Sequence, residues 1–278
     1  MTPLFAFQRP DFSPDYTSSA DLRLVVSDSA VSLLVSKGQQ VQVVKCWQMP
    51  VSEHQFNPNE AELRGILGSE RLLSRHFLYK ACSVNPSFTT LVPRRLFDER
   101  SLPQYFKLLI KPGGKYTYQS AHIPSIDAYL VWALELTQHH LISQYFESSQ
   151  ISHLGATFIE KLAKESPADG YGIFANIHGQ RMQCLVFDRT QLVFYNSFEF
   201  HKPADLLYYL LLVYKQFELN PANIPPRISG GILEDSEVYR MLMRYFPEIV
   251  FLKPDRSFHF PDDAKNLPAH FWFDISIV

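Results

Sequence analysis

The segment DLRLVVSDSAVSLLVSKGQQVQVVKCW, Asp21 to Trp47, decides the fold. Leu22, Leu24 and Val26 alternate with Arg23 and Val25. After Ser27-Asp28-Ser29-Ala30 the alternation resumes at Val31, Leu33 and Val35, and after Lys37-Gly38-Gln39-Gln40 it resumes at Val41 and Val43. Period-two apolar runs broken by short polar turns predict three antiparallel strands joined as a meander.

Outward from this meander the pattern becomes mixed. Asn57, Pro58 and Glu60 read as the start of a helix, with Leu63, Ile66 and Leu67 as its apolar stripe. Phe88 to Val92 reads as a strand, and Ser101-Leu102-Pro103-Gln104 as the opening of a helix. Tyr116 to Ala121 reads as extended, and Ile126, Tyr129, Leu130, Ala133 and Leu134 fall at helical spacing. A further helix is expected from about Ala156 to Lys164.

The opening pattern then returns. Ile173 to Ile177, then Met182, Cys184 and Val186, then Leu192, Phe194 and Asn196 predict a second three-strand meander. Pro203 opens a helix over Ala204 to Phe217, apolar almost all round and so expected to be buried on more than one side. Arg227-Ile228-Ser229 reads as a strand before the Gly230-Gly231 turn, with Asp235 capping a helix that Pro247 stops. Phe271, Phe273, Ile275 and Ile277 alternate with Trp272, Asp274 and Ser276, which suits a final strand with one buried face. The expected organisation is an irregular arm over 1–20 and two α/β lobes over 21–165 and 166–278, each a mixed sheet flanked by helices.

Two meanders followed by alternating helices and strands resemble the actin-like ATPase fold, whose halves are ribonuclease H-like. The chain is similar to an uncharacterised Bacteroidota family of unknown function with that fold, and more distantly to the pilus-assembly protein PilM and the cell-division protein FtsA. The resemblance rests on Leu22-Arg23-Leu24-Val25-Val26 with its hairpin, on Val92-Pro93-Arg94-Arg95-Leu96-Phe97, and on the second meander.

The resemblance implies a phosphate loop at each first hairpin turn, with an Asp-x-Gly pattern for backbone approach to phosphate and for Mg²⁺. The first loop here has Asp28 but no glycine, and in the second Asn176 stands for the Asp and His178 for the first Gly. Ile228-Ser229-Gly230-Gly231 is similar to the superfamily's adenosine turn. Asp28, Asn176, His178, Gly230 and Gly231 are therefore the candidate residues of a vestigial nucleotide cleft. It would have no required cofactor, would bind ATP weakly at most, and would hold no metal. Each has a plainer reading too: an Asp in a Ser-Asp-Ser turn bonds its own backbone, and Gly-Gly after a strand makes a turn.

Other chemistries lack their residues. There is no Gly-x-Ser-x-Gly elbow, and the cysteines Cys46, Cys82 and Cys184 are scattered. Lys111-Pro112-Gly113-Gly114-Lys115 lacks phosphate-loop spacing and reads as a solvated turn, and adjacent His139-His140 point apart on a helix end. Hydrophobic residues at 46% and charged residues at 19% exclude general disorder, and a net charge of -2 argues against a nucleic-acid partner held by charge. The start lacks a basic, then apolar, leader and no apolar run spans a bilayer, so a cytoplasmic protein is expected. The implied role is a non-catalytic binding or scaffold protein with a protein partner or self-association. The alternative is a nucleotide-binding switch or weak ATPase that uses displaced residues.

Overall fold

The computed structural model describes residues 2–27, 29–49, 60–110, 114–254, 258–261 and 267–278. Asp28, Asn57, Pro58 and Lys111 to Gly113 lie outside the described residues. The chain forms two compact units; the first runs to Thr157 and includes 258–261, and the second starts at Phe158 and includes 267–277.

The first unit is built on the meander β2 (Asp21–Ser27), β3 (Ala30–Lys37) and β4 (Gln40–Gln48). β1 (Phe5–Gln8) pairs antiparallel with β4, so part of the expected irregular arm is strand. β5 (Tyr79–Asn85) runs parallel to β2, and β9 (Ile151–His153) parallel to β5, giving the order β1-β4-β3-β2-β5-β9. Leu22 and Leu24 of β2, Leu33 and Val35 of β3, and Val43 of β4 share one core with two helices. These contribute Leu63, Ile66 and Leu67 from α1 (Glu60–Ser69), and Leu141 and Ile142 from α2 (Leu136–Ser143).

A second, three-stranded sheet is inserted between β5 and α2: β6 (Phe88–Pro93), β7 (Tyr116–Ile123) and β8 (Ala128–Glu135), in the order β6-β8-β7. Two expectations change here. The strand read at Phe88 to Val92 belongs to this inserted sheet, and the main sheet's fourth strand is β5, whose Lys80 and Ser83 hid it from an apolar scan. Residues 128–135 form a strand rather than a helix. Leu130, Val131, Trp132, Ala133 and Leu134 are all buried, and a run buried on both faces has no period to read.

The second unit holds β10 (Tyr171–His178), β11 (Arg181–Asp188), β12 (Gln191–Glu199), β13 (Arg227–Gly230) and β14 (Val250–Phe251) in the order β12-β11-β10-β13-β14. β13 is parallel to β10, as β5 is to β2. Helix α3 (Leu154–Ala163) contains the division between the units. Helix α4 (Pro203–Gln216) packs Leu206, Leu210, Val213 and Tyr214 on the sheet with Leu242 of α5 (Glu237–Leu242), whose N-cap is Ser236, not Asp235. Its other side is open: Tyr208 and Leu212 are exposed and Leu211 is only half-buried. The helix is therefore amphipathic in burial although not in letters. Residues 269–272 form a 3-10 turn and α6 spans Phe273–Ile277, in place of the expected strand. Trp272 to Ser276 are buried without a break, so alternation carried no information there.

The edge strand β9 ends at His153, which is fully buried. Nδ1 accepts from the Gly155 N–H at 2.8 Å, and Nε2 lies 2.9 Å from Thr89 Oγ1. The Thr89 hydroxyl donates to Pro86 O, so it accepts from Nε2–H and the ring is neutral. A second proton would face the Gly155 N–H, and burial pushes the pKa down to about 3. The unfolded chain, with a pKa of about 6.5, binds a proton that the folded chain refuses. Stability is thus expected to fall as pH drops below about 6.5, by up to about 1.4 kcal/mol per unit. Melting curves at pH 7 and pH 5 check this: His153→Gln should flatten the pH slope, and an unchanged slope would disprove the assignment.

Candidate functional site

The candidate site of the second unit lies where β10 ends. Parallel pairing sets Asn176 beside Ser229 and Ile177 beside Gly230. Asn176 Nδ2 donates to Ser229 Oγ at 3.0 Å. Gly231 N–H donates to Ile177 O at 2.6 Å. Gly230 sits at φ +93°, where a Cβ would run into the Ile177 carbonyl oxygen. Only glycine fits, and the chain's own backbone is the reason. The structure thus brings Asn176, His178, Gly230 and Gly231 together; Asp28 is outside the described residues.

The decisive group comes from elsewhere. Asp274, on α6, is buried, and Asn176 Nδ2 donates to its Oδ1 at 2.6 Å. His178 Nδ1 lies 3.1 Å from its Oδ2, and a carboxylate accepts, so the ring nitrogen donates. His270 Nε2 donates to Ile232 O at 2.7 Å and stacks on Phe251 with ring centroids 3.9 Å apart. Burial holds the His270 pKa below its usual value, which suits a neutral ring donating to a carbonyl. Phe273 packs on Phe158, and Phe271 approaches Gly231. Segment 267–277 is anchored on both sides of the carboxylate.

The side chains that the resemblance sets against phosphate, Asn176 and His178, both donate to Asp274, and both of its carboxyl oxygens are so engaged. Asn176 supplies no charge for a metal's water shell.

All three cysteines are buried thiols outside any disulfide, an environment that disfavours a nucleophile. Burial pushes the Cys184 thiol up to about 12 and raises Cys82 likewise. Among the described residues no helix is long and apolar enough to cross a membrane.

The sequence reading missed Asp274 and His270. Asp274 is the only acidic residue from Leu267 to Val278, and a single charge in an apolar run was the available signal.

Residues 9–249 match the family described as Protein of unknown function (DUF3822). The chain belongs to that family. No curated protein matches its sequence. Among solved structures it is similar to a Bacteroides thetaiotaomicron protein with actin-like ATPase fold and unknown function. The two are 16% identical with a TM-score of 0.71, covering 87% of this chain and 93% of that one. A chain of the PilM–PilN type IV pilus biogenesis complex is 10% identical with a TM-score of 0.59, covering 92% of this chain and 97% of that one. The ethanolamine utilization protein EutJ from Carboxydothermus hydrogenoformans is 9% identical with a TM-score of 0.50, covering 93% and 88%. This family member has the actin-like ATPase fold; likeness at such identities carries the fold and no activity.

Proposed function

We propose that the protein is a non-catalytic binding or scaffold protein of actin-like fold that does not turn over ATP. The observation that carries this reading is the buried Asp274 carboxylate accepting from Asn176 and His178. Phosphoryl transfer depends on positioning phosphate and neutralising its charge. Here the donors are committed to an internal anion. The vestigial nucleotide site proposed for the second unit comprises Asn176, His178, Gly230 and Gly231; Asp28 lies outside the described residues. The shared strand order of the two main sheets supports two ribonuclease H-like lobes, 21–165 and 166–278, of duplicated origin. The partner is a protein or a second copy rather than nucleic acid, in the cytoplasm. The PilM–PilN complex supports a binding role for this fold, at the level of fold only.

A second reading rests on the same carboxylate: Asp274 could be a displaced metal-holding group of a nucleotide switch. Its burial counts against this. Purified protein with ATP and Mg²⁺ is expected to release no phosphate above a buffer control, and ATP is expected to leave the melting temperature unchanged. Steady turnover that Asp274→Asn or Asp28→Ala abolishes would replace the binding reading with the switch.

A further inference from the structure

Between β6 and β7 the chain makes an excursion whose order and exposure conflict. Leu109 N–H and Ile110 N–H both donate to Phe106 O at 2.9 Å, closing a turn. Phe106 is fully buried with Val92, Val131 and Ala133. That anchor holds the next two leucines outward: Leu108 is 98% exposed and Leu109 58%, with Leu96 at 62% in the same excursion. Leucines so exposed on a pinned turn have a cost in water that a covering phase would remove.

The charges of the same excursion are one-sided. Arg94, Arg95, Arg100, Lys107 and Lys115 are exposed, against Asp98 and Glu99, in a chain of net charge -2. Asp98 is committed to the Arg100 N–H and the Ser101 hydroxyl, and Arg94 lies 3.4 Å from Asp127. Three leucines cannot furnish the roughly 800 Å² per side of a stable protein interface. They do match a peripheral membrane contact, in which a few apolar side chains enter the acyl boundary and cations meet headgroup phosphates.

We propose that this excursion rests on an anionic lipid surface, with Leu108 and Leu109 inserted and the excursion's exposed Arg and Lys side chains on the phosphates. The test is co-sedimentation of the full chain with vesicles of phosphatidylcholine alone or mixed with phosphatidylglycerol. Binding is expected only to the mixed vesicles, and it should weaken as salt shortens the screening length. Leu108→Ser with Leu109→Ser should lower partitioning about tenfold or more. Both sites are exposed, so the melting temperature should not move. Failure to bind anionic vesicles, or equal binding by parent and variant, overturns the proposal. So does retention on polyglutamate resin without vesicle binding, which would assign the face to an acidic polypeptide.

Discussion

Asp274→Ala should lower the unfolding free energy by about 3 kcal/mol, because it strips the acceptor from two buried donors. Asn176 Nδ2 would keep Ser229 Oγ, but His178 Nδ1 would lose the carboxylate oxygen at 3.1 Å. Asp274→Asn should cost less, since its amide oxygen can still accept from Asn176. Asn176→Asp should be harmful although it restores the superfamily's residue type, since it sets two carboxylates side by side. Urea denaturation of the three variants gives the ranking. If Asp274→Ala unfolds at the parent's midpoint, the carboxylate is not holding the segment, and the argument for a filled site loses its support.

Leu210→Ala should cost about 2–5 kcal/mol, as for a filled core position that leaves a cavity. Leu210 is fully buried on α4, in the same core as Cys184, Val186 and Leu242. Two residues along, Leu212 is exposed, and Leu212→Ala should change stability by no more than about 0.5 kcal/mol. Leu211, half-buried, should fall between them. Calorimetry on the three variants measures the contrast. Equal losses at positions 210 and 212 would mean that the outer face of α4 is covered in solution.

The meanders were legible because each strand turns at short polar loops and because polar letters interrupt the apolar ones. Arg23 stands between Leu22 and Leu24, and Gln183 between Met182 and Cys184, so the letters alternate even though β11 is buried on both faces. Legibility failed where the letters themselves carry no strand period. Leu130 to Leu134 are apolar and buried without a break, and the run from Trp272 to Ser276 is buried whichever way its letters alternate. β5 failed for a different reason. Lys80 donates to Leu73 O at 2.9 Å and to Tyr145 O at 2.7 Å, so a charged residue serves a strand interior through backbone carbonyls. The site was half legible. Asn176, His178, Gly230 and Gly231 stand near strand ends, where spacing gives them away. Their partner Asp274 lies 98 residues from Asn176, and no local pattern joins such positions.

The second unit is discontinuous along the chain: it begins at Phe158, and 267–277 rejoin it after residues 258–261 have gone to the first. Synthesis runs in one direction, so β10 to β14 are made before Asp274. During that interval Asn176 and His178 lack their carboxylate acceptor, and Phe158 lacks Phe273. Chains interrupted before residue 267 would carry an open apolar face and an unfinished polar cluster, the marks by which chaperones and proteases sort nascent products. The late arrival of one short helix is thereby expected to make synthesis through residues 267–277 a condition for the unit's persistence in the cell.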